Sequence, residues 1–306
     1  MADIVLETNS LTKLYRTHPA VDHVDLRIEK GQIYGLVGRN GAGKTTIIRM
    51  ATGQTVPTSG ALCLFGESGV ALERMRARTG AMVETPSFSP FLTAQENLEY
   101  YRIQRGIPSK NVVDEALETV RLANTGRKKF KFFSLGMKQR LGLALALMNR
   151  PDFLLLDEPI NGLDPEGIVE VRHILLQLSS QLGTTVLISS HILTELASLA
   201  TCYGFLEKGV MLEQLTSEQL RDRCRACLEI RVDDLEKAAR VLEQTLDLRT
   251  FDILPDGRLR LYSGIDAPHR IVRALVEEGL AVSAVESKGA NLEDYYLSLV
   301  GGGHNA

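Results

Sequence analysis

Up to about Glu213 the chain alternates short apolar runs with longer amphipathic stretches, and beyond it the pattern changes. Strands are predicted over residues 4–8 and 21–28, and Gly31 turns the chain into 32–37, a short apolar run that reads as a buried strand. Residues 61–65 alternate like a strand, and 79–83 form another, closed by a loop that Pro86 and Pro90 enforce. Thr93 and Glu96 match a capping box, so a helix starts there and runs to about Gln104. A second helix spans roughly 109–122, with Val112, Val113, Ala116, Leu117 and Val120 on one face. A third opens at Phe133-Ser134-Leu135-Gly136-Met137 and ends before Pro151. Residues 153–156 are four large apolar side chains that run straight into Asp157 and Glu158. Pro165 starts the next helix, and 184–190 is a buried strand that delivers His191 at its carboxyl end.

The later pattern is shorter and different in order. It predicts a strand over 227–232, a helix over 234–246 and a strand over 248–254. A turn at Pro255-Asp256-Gly257 leads to a strand at 258–262, a helix at 267–278 stopped by Gly279, and a strand at 280–286. That order, β-α-β-β-α-β, suggests a small ferredoxin-like module, and a helix from Asn291 closes the chain. Nothing in this part suggests chemistry; dimer contact or regulation is the expectation.

Chemistry concentrates in the first part. Gly38-Arg39-Asn40-Gly41-Ala42-Gly43-Lys44-Thr45-Thr46 matches G-x-x-x-x-G-K-[ST] in full, after a buried strand and before a helix. Glycines let the backbone wrap round phosphates with successive N–H groups inward, and the helix start adds its dipole. Lys44 is expected to reach the β- and γ-phosphates, and the Thr45 hydroxyl to bind Mg²⁺. The second signal is the carboxylate pair. Two acids at the end of a buried strand are costly without a cation or a chemical role. Asp157 is placed to hold Mg²⁺ and Glu158 to orient or deprotonate the attacking water. A lone His is more often structural, but His191 ends a buried strand, where ligand-binding groups of open α/β sheets collect. Tyr15, taken alone, reads as a half-buried core aromatic.

Composition adds exclusions. At 306 residues the chain is long enough for two domains. A net charge of −3 gives no footprint for nucleic acid, and the basic run Arg127-Lys128-Lys129-Phe130-Lys131 reads as a solvated loop. The longest strongly apolar segment, 141–148, falls far short of the ~20 residues that span a bilayer. No secretory signal is read, so a cytoplasmic protein is expected unless another chain holds it at a membrane. Cys224 and Cys227 form one C-x-x-C without a second pair, which favours a structural, reduced pair over a metal or redox site.

With these residues in place, the first ~215 positions resemble the ATP-binding subunit of an ABC transporter. The resemblance rests on the loop at 38–45, the signature at 133–137, Leu154-Leu155-Leu156-Asp157-Glu158, Leu163-Asp164 and His191, in that order. It implies an α/β P-loop NTPase cassette: a mixed core sheet flanked by helices, N-terminal antiparallel strands and a helical subdomain near 90–150. The cassette would occupy 1–215 and a small α+β domain 216–306. It further implies that Tyr15 stacks on adenine, that His191 contacts the γ-phosphate and that Asp164 belongs to the nucleotide site. Ser134 and Gly136 would bind the γ-phosphate held by a second copy, in a head-to-tail dimer around two ATP molecules. Two departures stand out. The usual Leu-Ser-Gly-Gly-Gln signature appears as Phe133-Ser134-Leu135-Gly136-Met137, and a Gln usual after the 79–83 strand is replaced by Glu84, a further candidate for Mg²⁺. Both, with Pro86 and Asn97-Leu98, resemble the branch that serves bacitracin export and lantibiotic immunity. The implied partner is an integral membrane permease, which would hold the subunit at the inner face of the membrane. Rival readings are a non-transport ABC ATPase of translation or repair, a nucleotide sensor, and an exporter subunit for a lipid, polysaccharide or ion.

Overall fold

The computed structural model describes residues 3–83, 87–288 and 292–302. The chain divides into two units, Met1–Ser217 and Glu218–Ala306.

In the first unit, β1 (Ile4–Tyr15) and β2 (His18–Glu29) form an antiparallel hairpin, followed by β3 (Ile33–Val37). β1 outruns the predicted 4–8 because Ser10 takes a left-handed φ of 45° and the register shifts between Thr8 and Leu11. The strand then resumes with Leu11 fully buried and ends at Tyr15. Such a bulge breaks the alternation that a period-2 reading follows. α1 (Lys44–Ala51) follows the glycine loop, and β4 (Ser59–Leu64) completes a three-stranded sheet in the order β2-β1-β4. A short α2 (Leu72–Arg76), absent from the sequence reading, precedes β5 (Thr79–Met82).

Three helices fill the middle of the unit: α3 (Ala94–Gln104), α4 (Asn111–Thr119) and α5 (Leu135–Leu147). α3 begins at the capping box, with the Glu96 amide donating to Thr93 Oγ1 and the Thr93 amide donating to Glu96 Oε2. α5 is apolar on almost every side from Leu141 onward, which suits a helix enclosed by its neighbours.

The chain then alternates: β6 (Phe153–Asp157), α6 (Pro165–Leu182), β7 (Thr185–Ser190), α7 (Leu193–Ala197), β8 (Cys202–Glu207) and β9 (Val210–Thr216). α7, β8 and β9 were not foreseen. These strands join β3 and β5 in a six-stranded sheet of order β5-β6-β7-β3-β8-β9, parallel except for β9. Every residue of β3 and β7 is buried, as parallel strands covered on both faces require. The order places β7 between β3 and β6. Their carboxyl ends therefore meet at one edge, with Val37 beside Ser190 and Asp157 beside Ser189.

The second unit begins within α8 (Ser217–Arg223). It continues with β10 (Cys227–Val232), α9 (Leu235–Gln244), β11 (Phe251–Ile253), β12 (Arg258–Leu261), α10 (Pro268–Glu277), β13 (Val282–Lys288) and α11 (Leu292–Gly302). All pairings are antiparallel, in the order β11-β12-β10-β13. Leu228, Ile230, Leu259 and Leu261 form one face of that sheet and pack with Val241, Leu242, Ile271 and Leu275 of the two helices. β11 is three residues, shorter than the predicted 248–254, because only Phe251, Asp252 and Ile253 reach β12.

Candidate active site

The loop between β3 and α1 is shaped by what surrounds it. Gly43 has φ 109°, and a Cβ there would come within 2.4 Å of the Ala20 carbonyl oxygen on β2. At Gly38 a Cβ would come within 2.5 Å of the Leu206 carbonyl oxygen on β8. Glycine is therefore required at both positions. Arg39, Asn40 and Gly41 form the exposed crest, while Ala42 is buried. No side chain caps α1, so the amide end that begins with Lys44, Thr45 and Thr46 is left for an anion.

Lys44 is only 4% exposed. Its Nζ donates to the carbonyls of Gly38 at 2.6 Å and Arg39 at 3.2 Å and lies 3.4 Å from Glu158 Oε1. A buried ammonium needs such partners, and an anion with several oxygens fits the same place. Thr45 Oγ1 donates to Asp157 Oδ2 at 2.7 Å, which joins the loop to the end of β6. A hydroxyl and a carboxylate side by side are hard oxygen donors of the kind Mg²⁺ takes.

Glu158 follows at φ 47°, a left-handed conformation uncommon for a residue with a side chain. Its amide donates to Ser189 Oγ at 2.9 Å, and Ser189 in turn donates to Asp157 Oδ1 at 2.6 Å. Asn161 Nδ2 donates to Glu158 Oε2 at 2.9 Å. His191 Nδ1 lies 3.1 Å from the same oxygen, off the line of a hydrogen bond. The carboxylate thus stands between a lysine, an amide and an imidazole, held but still in reach of water. Ser189 and Asn161 were assigned no role from sequence. A polar Ser189-Ser190 pair ending an apolar strand was the available signal.

The other candidates separate into two groups. Tyr15 pairs with His18 at the hairpin end whose Ala20 touches the loop; its ring is 46% exposed under Lys13 Nζ at 5.2 Å. The reading as a half-buried core aromatic does not hold, because β1 has already left the core at Leu14. Ser134 caps α5, accepting from the Met137 amide at 3.2 Å, and Gly136 packs against Leu163 and Gly167. None of the hydrogen bonds among the described residues joins Ser134 or Gly136 to residues 38–45. Asp164 caps α6 through the Gly167 amide at 3.1 Å. Glu84 lies outside the described residues.

A parallel sheet with a glycine turn and a buried lysine at its carboxyl edge is the architecture of P-loop nucleoside triphosphatases. The ABC transporter family model matches residues 21–161. The chain is 42% identical over 300 residues to the bacitracin transport ATP-binding protein BcrA of Bacillus licheniformis, covering 98% of each. It is 40% identical over 211 residues to the lantibiotic transport ATP-binding protein SrtF of Streptococcus pyogenes, covering 69% of this chain and 90% of that one. In fold it is similar to a dimeric, post-hydrolysis ATP-binding cassette bound to ADP and Pi. The TM-score is 0.61 at 23% identity, over 69% of this chain and 98% of that one. The chain belongs to the ABC transporter family, as its ATP-binding, ATP-hydrolysing subunit.

Proposed function

We propose that this subunit powers export of a peptide antibiotic of the bacitracin kind through a separate membrane permease. The observation that carries this reading is the extent of the similarity to BcrA, which runs through the second unit as well as the cassette. The SrtF similarity, over 211 residues, favours lantibiotics less for that reason. No helix among the described residues is long and apolar enough to cross a membrane. On this reading the permease holds the subunit at the inner face.

In this reading Lys44 and the open amides of α1 bind the triphosphate, and Tyr15 stacks on adenine. Thr45 and Asp157 hold Mg²⁺, which neutralises phosphate charge when bound. Glu158 takes the proton of the attacking water, oriented by Asn161 and Ser189, and His191 contacts the γ-phosphate. Ser134, Gly136 and Asp164 serve the loop of a second copy, and closure of two chains head to tail completes each site. What supports this division is that Gly136 lies against Leu163 and Gly167 and that Ser134 makes no hydrogen bond to its own loop among the described residues. We further infer that 1–215 acts as the ATP-binding domain and 216–306 as an accessory domain.

The test is resistance. A sensitive cell given this chain and its permease should tolerate several-fold more bacitracin, and Lys44→Ala should remove that tolerance along with ATP binding. Unchanged sensitivity despite active ATP turnover by the parental pair would overturn the substrate reading and leave the ATPase standing.

A further inference from the structure

The starts of α5 and α6 come together at two glycines. A Cβ on Gly136 would lie 3.9 Å from Leu163 Cδ2 and 4.0 Å from the Gly167 Cα. Each start is capped by its own side chain, Ser134 on α5 and Asp164 on α6. With no side chain at either glycine, that contact sets how near the helices come better than how they are rotated. One turn further along, an ion pair supplies what the glycines lack. Arg140 Nη2, four residues beyond Gly136, lies 3.3 Å from Oε2 of Glu170, three residues beyond Gly167. Residues three and four apart share a helix face, so both contacts lie on one seam. The same guanidinium donates through Nη1 to the carbonyls of Val120 at 3.2 Å and Arg121 at 3.3 Å, just past the end of α4. One side chain therefore ties α4, α5 and α6 together.

Stability does not explain this arrangement well. The Arg140 side chain is 12% exposed, and its Nε is shielded from water without a hydrogen bond. A largely buried guanidinium that is not fully satisfied gains little over an apolar residue of the same size. What it does supply is a fixed geometry between two helix starts. We infer that Arg140 and Glu170 are positioning residues: they hold the start of α5 against the start of α6, so that Ser134, Gly136 and Asp164 meet a second copy's nucleotide as one surface. This rests on the reading of those three residues given above. Without the pair, α5 is free to roll about the glycine contact and carry Ser134 out of step with Asp164. Among the described residues, neither side chain hydrogen-bonds or ion-pairs with the 38–45 loop, Asp157 or Glu158. The pair therefore leaves ATP binding by the single chain alone and acts on closure.

Specific turnover of the full chain, measured against chain concentration, distinguishes positioning from simple support of the fold. Glu170→Gln should raise the concentration for half-maximal turnover about tenfold, a coupling typical of contacting groups, while labelled-ATP affinity of the dilute chain changes by less than about twofold. Glu170→Asp, which keeps the charge, should recover part of the loss. Arg140→Gln should match Glu170→Gln, and the double variant should lose no more than either alone. In a Glu158→Gln background, the same substitutions should raise the ATP concentration at which dimer appears on size exclusion. A merely structural pair would lower the urea midpoint and leave the half-maximal concentration where it was. That outcome, or additive losses in the double variant, would overturn the inference. Should Arg140→Gln fail to fold, Glu170→Gln and Glu170→Asp carry the test with the same criteria. A Gly136→Asp chain that closes with ATP as the parent does removes the reading of Ser134 and Gly136 itself, a different failure from an uncoupled pair.

Discussion

Two carboxylates, one in each unit, stand beside cations and behave in opposite ways. Glu229, on β10, is 1% exposed and has both oxygens engaged. Arg258 binds one of them, and Arg260 donates to the other from Nε at 3.0 Å and Nη2 at 2.7 Å. Its backbone is ordinary strand. Glu158 is 23% exposed, sits in a left-handed backbone and shares its oxygens among Lys44, Asn161 and His191 without saturating them. A carboxylate with each oxygen taken by a guanidinium has little left to offer water, whereas one held loosely in a strained turn keeps a lone pair available. Incomplete satisfaction, not burial, is what marks the chemical site.

The sharpest break in that comparison is Glu158→Gln. The amide keeps the Asn161 contact but cannot take a proton, so turnover should fall ~10²–10⁴-fold while ATP still binds, and the ATP-bound dimer should accumulate on size exclusion. Parental turnover would reassign the base. In the second unit, Glu229→Gln leaves Arg260 without its carboxylate, while Arg258 keeps Asp256. Both guanidinium groups are about a third exposed, and water offsets part of the loss, so the cost should be about 2 kcal/mol, less than for a fully buried pair. Urea unfolding should report it, with ATP affinity unchanged; a loss of nucleotide binding would show that the two carboxylates are not independent.

The smallest effect falls on the capping box of α3. Thr93→Ala should cost ~1 kcal/mol by loss of the side-chain acceptor at the helix start. The Glu96 carboxyl is held below its ordinary range, chiefly by the Thr93 backbone amide and then by Lys129. A depressed carboxyl stabilises the fold above its unfolded-state range and loses that contribution as pH falls through its folded value. The difference in melting temperature between the parent and Glu96→Gln should therefore be largest near neutral pH and shrink in acid. A difference that grew in acid would mean the box is not formed in solution.

What could be read from sequence was what repeats locally. The glycine loop, the capping box at Thr93, and the apolar run that ends at Asp157 all announce themselves within a few residues. The helices of the second unit did too, because each carries a regular apolar stripe against β10 and β12. Three kinds of feature escaped. Ser10 hid half of β1 by breaking its alternation. β8 and β9 were overlooked because β9 alternates only weakly, with Val210 and Leu212 partly exposed at the sheet edge. Among the supports of the site, Ser189 meets Glu158 only through tertiary packing, and Asn161 lies three residues from Glu158 without a pattern that marks it.

The left-handed backbone at Glu158 bears on how such a protein responds to selection. Glycine at that position would relax a strain of roughly 1 kcal/mol and yield a chain that folds as well or better. A library screened for heat resistance alone would therefore enrich Glu158→Gly and discard the base. Only a screen that demands ATP turnover retains the glutamate. The residue persists against its own conformational preference, so thermal and functional screens should diverge first at position 158.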